Sequence, residues 1–213
     1  MKTDDLIALL STNVEPVRRR QVGGIVGAAI GAAALALFAV IVFVFGIRAD
    51  LHHEDVWTGV ILKLAAMLAF VGIASVYLVR IARPGGERRT PLAFAIVPFA
   101  AIVLLATANL VLAPRSYWDD MVAKQDWAEC VFSIPIIAVL PFAIVIWAVR
   151  RMAPTDLVRT GALAGLIAGS LSAAGFALHC ADDSLPLVAL WYGATIGLCT
   201  FAGAMLGPRL LRW

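Results

Sequence analysis

Charge is scarce in this chain. Only 15 % of its 213 residues are Asp, Glu, Lys or Arg, against about a quarter in a soluble domain. The hydrophobic share is 62 % and the mean hydropathy is +0.93, more apolar side chain than a soluble core of this length can hide. Cysteine is scarce as well. Three cysteines without C-x-x-C spacing cannot staple a disulfide scaffold, and they offer no relay of thiol pairs for a membrane disulfide oxidoreductase. There is no H-E-x-x-H, no Gly-rich phosphate loop and no Ser/His/Asp set, so an enzyme is not expected. Within the apolar runs the only full charge is Lys63, joined by neutral Asn109, whereas an ion or proton path shows ionisable groups along several helices. The net charge of +3 and pI near 9 do not signal nucleic acid, because the basic residues gather at the ends of apolar runs.

What the chain does have is six apolar runs, approximately 22–47, 57–81, 92–113, 128–149, 160–178 and 187–207. Each approaches or exceeds the roughly 20 residues that span a bilayer. They predict an all-α polytopic membrane protein, a bundle of six transmembrane helices (residues 21–213) behind an N-terminal segment of 20 residues. The first run follows Arg18-Arg19-Arg20 but is far longer than the apolar core of a signal peptide, about 7–15 residues, so it is expected to be retained. With the N-terminus in the cytoplasm, inner segments hold thirteen Lys and Arg and outer ones three: Arg48, Arg115 and Lys124. That asymmetry places both termini inside. Thr3 suits an N-cap, with Asp4 and Asp5 in the first turn. Leu6, Ile7, Leu9, Leu10 and Val14 then form an apolar stripe before Pro16. About three turns of helix are too short to stand alone in water, so this segment lies on the membrane or on a partner.

Small residues recur at helical spacing. Gly23, Gly27 and Gly31 mark the first run; Gly161, Gly165 and Gly169 the fifth; Gly193, Gly197, Gly203 and Gly207 the sixth. Such stripes predict close backbone packing within the bundle, and they also suit a homodimer. If the fifth helix runs unbroken to Cys180, that thiol projects from the glycine face into the bundle. Pro98, Pro135 and Pro141 interrupt the third and fourth runs. Pro135 sits just inside Cys130, where a bend would lie beneath the thiol.

The chemistry-bearing residues collect in two short stretches, Trp127-Ala128-Glu129-Cys130 and Leu178-His179-Cys180-Ala181-Asp182-Asp183-Ser184. The topology puts both on the outer face with His52 and His53. Cys199 falls mid-helix and reads as a small buried hydrophobe. Trp57, Tyr117, Trp118, Trp127, Trp191 and Tyr192 crowd the same level and read as an interfacial belt. Cys130 and Cys180, with His179, Glu129, Asp182 and Asp183 as auxiliary ligands, suit a soft divalent metal such as zinc or cadmium. In an oxidising compartment the two thiols suit a disulfide instead, if they approach. Neither implies a permanent cofactor.

The arrangement resembles the NrsF-type anti-sigma factors of bacteria. The likeness rests on Thr3-Asp4-Asp5-Leu6-Ile7-x-Leu9-Leu10, the six spans, Cys130-x-x-x-Ile134-Pro135, and His179-Cys180-Ala181-Asp182-Asp183-Ser184-x-Pro186 followed by Trp191-Tyr192. The resemblance implies an inner-membrane protein that holds an ECF-type sigma factor inactive at the cytoplasmic face. Cys130 and Cys180 would match two periplasmic cysteines implicated in sensing heavy metal or oxidants. Asp4, Asp5, Leu6, Ile7, Leu9 and Leu10 would make the sigma-factor contact. The alternative from the same ligands is a small membrane metal-binding or transport protein.

Overall fold

The computed structural model of the chain describes residues 3, 5, 19–48, 54–82, 97–112, 114, 127–152, 154–180 and 185–212. Every regular element among them is helical. Helix α1 covers Arg19–Val40 and continues as a π turn over Ile41–Phe45. Then come α2 (Glu54–Ile81), α3 (Val97–Leu112), α4 (Trp127–Arg150) and α5 (Leu157–Phe176). Helix α6 comprises Leu185–Leu187, a π turn over Val188–Tyr192, and Gly193–Leu210. Five of the six are long and apolar enough to cross a membrane, and the apolar stretch of α3 is shorter, Val103–Leu112. The expected start of that span, residues 92–96, lies outside the described residues. Exposed Leu35, Phe43, Leu104, Phe132 and Ile136 give the bundle an exterior suited to lipid.

Two local expectations shift. Arg19 and Arg20 already belong to α1, since arginine propagates a helix well. Thr3 is itself helical, as is Asp5, and both are exposed. Asp4, Leu6, Ile7, Leu9, Leu10 and Val14 lie outside the described residues.

Helix α5 is the centre. Of its apolar window 72 % is buried, against 22–39 % for the other four long helices. It packs most extensively on α6 and next on α2 and α4. The cause is its small side chains, which let neighbours approach from every side. A Cβ added at Gly161 would strike the Gly203 carbonyl oxygen, and one at Gly165 the Cys199 carbonyl oxygen. One added at Gly207 would strike the Leu157 carbonyl oxygen. The backbones of α5 and α6 are therefore in contact, antiparallel, over three turns. Tight packing holds for these glycines and for Gly169, whose added Cβ would lie 2.9 Å from the Cys199 Cβ. It does not hold for Gly23, Gly27, Gly31 and Gly197, where a Cβ would meet nothing within 4 Å. Helix α1 lies at the periphery, against α4, and its Gly23, Gly27 and Gly31 have no neighbour close enough to touch an added Cβ.

The helices alternate in direction, so each loop joins one of two ends. Arg80, Arg150, Arg151, Arg159, Arg209 and Arg212 are all exposed at one, the arginine end. There Asp156 caps α5, accepting from the Arg159 amide at 2.9 Å and pairing with its Nε at 3.0 Å. The other end carries Gly46, Arg48, Glu129 and Cys180, and is called the cysteine end below.

Lys63 lies about 13 Å along α2 from Glu54, and Tyr192 about 10 Å along α6 from Leu185, so the two meet at similar depth. Lys63 is 2 % exposed and its Nζ sits 5.9 Å from the centroid of the Tyr192 ring. Tyr192 is thus buried beneath a cation rather than part of an interfacial belt. A ring face in a low-dielectric interior attracts such a cation. Asn109 faces outward instead.

Two outcomes follow for stability in detergent, read as denaturation midpoints. Gly165→Ala should cost about 1–3 kcal/mol or more, because its obstacle is backbone, whereas Gly27→Ala should stay within about 0.5 kcal/mol of wild type. A double-mutant cycle with Lys63→Met and Tyr192→Leu should return a coupling of roughly 0.5–2 kcal/mol; additive effects would show that the pair does not interact.

Candidate functional site

The cysteine end is built from the termini of α1, α4 and α5. Helix α5 does not run unbroken to Cys180. It stops at Phe176 and tightens into a turn, with the Leu178 amide donating to the Gly175 carbonyl at 3.0 Å. The His179 and Cys180 amides both donate to the Phe176 carbonyl at 2.9 Å. The premise for reading Cys180 as facing the bundle therefore fails, yet the residue is only 8 % exposed. The turn folds it back onto the apolar core.

Arg48 fastens this turn. Its amide donates to the Leu178 carbonyl at 3.1 Å, and its Nη1 donates to the Cys180 carbonyl at 3.1 Å. Arg48 is itself only 8 % exposed. A hydrogen bond from a charged donor in such a place is stronger than a neutral one. His179 adds a third tie. The Gly46 carbonyl can only accept, so Nδ1 carries the proton and donates to it at 3.0 Å. The ring stacks edge to face against Phe45, centroids 5.5 Å apart, and lies 5.5 Å from Phe176. Phe45 and Phe176 meet each other at 6.1 Å.

The other ring nitrogen, Nε2, faces Glu129 Oε1 at 3.8 Å. That is too long for a hydrogen bond but is an ion-pair distance once the ring is protonated. Glu129 stands in the first turn of α4, where a carboxylate also suits the helix dipole. The contact brings the two cysteine-bearing stretches together, since Glu129 precedes Cys130 and His179 precedes Cys180. Cys130 is in the first turn of α4, and its side chain lies outside the described residues. So do Asp182, Asp183, His52 and His53. Among the described residues there is no group of three or more His, Cys, Asp or Glu able to hold a metal. Both nitrogens of His179 are already directed at protein oxygens, so a metal would have to compete with Gly46 and Glu129 for it.

Two π turns flank the site. In α1 the Gly46 amide reaches back to the Ile41 carbonyl at 2.8 Å, and Gly46 leaves the helix at φ +78°, a conformation that favours glycine. In α6 the Thr195 hydroxyl donates to the Trp191 and Tyr192 carbonyls at 3.0 and 2.9 Å, which occupies acceptors that the π turn disturbs. Such turns are rare and frequently mark functional sites. Cys199 is remote from all of this. It is half-buried and lines an apolar cavity of about 160 Å³ with Pro135, Phe142 and Gly165, in keeping with its reading as a hydrophobe.

Sequence reasoning missed Gly46 and Arg48 as parts of the site. Arg48 was legible only as one of three outer cations. A glycine and an arginine directly after an apolar run were the available signal.

The family described as "Negative regulator of sigma F" matches residues 10–213. The "Probable anti-sigma-F factor NrsF" of Azospira oryzae is 26 % identical over 213 residues, covering all of both chains. The "Anti-sigma-F factor NrsF" of Caulobacter vibrioides is 29 % identical over 219 aligned residues, again covering all of both. No solved structure is a match. The matched range takes in all six helices and the whole cysteine end, and the chain belongs to the family of negative regulators of sigma F.

Proposed function

We propose that this protein is an integral inner-membrane anti-sigma factor. It sequesters an ECF-type sigma factor at the cytoplasmic face and releases it when Cys130 and Cys180 meet heavy-metal or oxidative stress in the periplasm. The observation that carries the reading is the family match across residues 10–213, joined by two full-length relatives that bear the anti-sigma name. The exposed arginines at one end of the bundle support the orientation, because Lys and Arg stay on the cytoplasmic side. The cysteine end is then periplasmic, where thiols can oxidise.

In this reading the N-terminal 20 residues are the cytoplasmic segment. The Leu6, Ile7, Leu9 and Leu10 stripe enters an apolar groove on the sigma factor, and Asp4 and Asp5 flank it, in the manner of a helix-in-groove contact. The exposure of Asp5 is compatible with such a contact. At the other face, Cys130 and Cys180 either bind a soft cation as thiolates or join as a disulfide. The second course gives up two electrons and two protons to a periplasmic oxidant. The metal is a signal rather than a resident cofactor, and the protein acts by binding rather than by catalysis.

A sigma factor should co-purify with the full-length protein and not with a variant lacking residues 2–15; equal recovery with both would remove the N-terminal contact. In cells carrying a sigma-dependent reporter, Cys130→Ser, Cys180→Ser and the double variant should keep repression without stress. All three should lose induction by cadmium or an oxidant. Persistent induction with membrane levels unchanged would exclude the thiols as the sensor.

A further inference from the structure

Helix α1 is the one helix that runs directly from the N-terminal segment to the cysteine end. It is held unequally along its length. At the cysteine end, Leu37 and Ile41 pack on Gly175, where an added Cβ would lie 3.0 Å from the Leu37 Cδ2. Three hydrogen bonds then join Gly46 and Arg48 to Leu178, His179 and Cys180. Along its length α1 rests on α4 and has few contacts with α2, and toward the arginine end Val26 and Ala29 stay buried. Its Gly23, Gly24 and Gly27 meet nothing, and a cavity of about 340 Å³ opens between Gly23, Val26 and Ile30 of α1 and Ser75, Val79 and Arg80 of α2. A helix clasped at one end beside open space at the other can move its far end when the clasp changes.

We propose that Arg48 and His179 are positioning residues that couple the Cys180 segment to helix α1, so that a change of state at Cys180 shifts the arginine end of α1. The proposal rests on the reading above for what α1 carries, but its geometry stands apart from it. Cys180 is only 8 % exposed, so a metal or oxidant arriving from outside the bundle reaches its sulfur by displacing the turn. The turn's carbonyls at Leu178 and Cys180 are held by Arg48, so either α1 follows the turn or the bonds part. The π turn at Ile41–Phe45 gives the helix an alternative. Its closing bond spans five residues rather than four, and restoring an α turn there rotates the rest of the helix by about 100° per residue of register. Gly46, already at φ +78°, is the swivel. Helix displacements of about 1–2 Å, or one turn of about 5.4 Å, are ordinary in switching proteins.

The test uses full-length protein with three substitutions. Arg48→Gln removes the charged donor, Arg48→Lys keeps the charge, and His179→Phe keeps a ring between Phe45 and Phe176 without the hydrogen bond to Gly46. Ketone-reactive spin labels on p-acetylphenylalanine at positions 24 and 205 leave the native thiols alone, and both positions are exposed on α1 and α6. In Arg48→Gln and His179→Phe, pulsed EPR should show the distance between these labels shifted by about 2 Å or more. Unstressed reporter output should rise roughly tenfold or more in Arg48→Gln, which loses a charged hydrogen bond, and about threefold in His179→Phe, which loses a neutral one. Arg48→Lys should stay near wild type in both. An unchanged distance in both Arg48→Gln and His179→Phe, with each inserted at wild-type levels, overturns the coupling whatever the reporter does. Failure of the wild type to repress the reporter sinks the anti-sigma reading instead, and the distance still judges the clasp.

Discussion

Two helices touch backbone to backbone, and the other contacts arrange themselves around that fact. Lipid removes the hydrophobic drive between helices, so association relies on close packing. Gly161 and Gly165 of α5 meet Gly203, Gly207 and the Cys199 carbonyl of α6 at distances that leave no room for a Cβ. Such a contact is rigid, because the obstacle on each side is main chain rather than a side chain able to rotate. The pair α5–α6 thereby becomes a fixed post. Helices α2 and α4 pack onto α5, α1 packs onto α4, and α3 reaches the bundle chiefly through the start of α6.

The position of Cys180 follows from that post. The turn after Phe176 folds back at the end of the most immobile helix, so the cysteine is held against a fixed frame while its carbonyl is held by a peripheral helix. Stress between the two falls on α1, which is the less constrained. Two of the buried polar groups agree with this division. Lys63 over Tyr192 and Thr195 on the α6 carbonyls lie beside the post, where a polar group needs a partner to remain in a low-dielectric interior.

Much of the fold was legible because membrane helices announce themselves by length. Six runs became six helices, and the exposed arginines sit together at one end because short loops alternate. As marks of bundle packing, the glycine stripes were legible on α5 and at Gly203 and Gly207 of α6 but misleading at Gly197 and on α1. The reason is that spacing records which residues share a face, not whether a neighbour occupies it. The burial of Tyr192 was hidden in the same way, since an aromatic about two turns from a polar segment suits a belt or a core equally. At the site, His179, Glu129 and Cys180 were legible as chemistry-bearing types. Arg48 was not, because its role depends on a contact across 132 residues that no local pattern encodes. The end of α5 at Phe176 was obscured by alanines and a leucine that continue a helix as readily as they stop one.

The energies suit a switch. Reversing a two-state population from about 99:1 to 1:99 takes roughly 5.5 kcal/mol of differential interaction. One hydrogen bond from a charged donor is worth about 1.5–3 kcal/mol, and a neutral one about 0.5–1.5 kcal/mol. The clasp at Gly46 and Arg48 has one of the first kind and two of the second, so together they amount to about 2.5–6 kcal/mol if they act independently. That is the scale needed to bias α1. A weaker clasp would leave the far end of α1 indifferent to Cys180, and a much stronger one would hold it in place through any signal a pair of thiols can deliver.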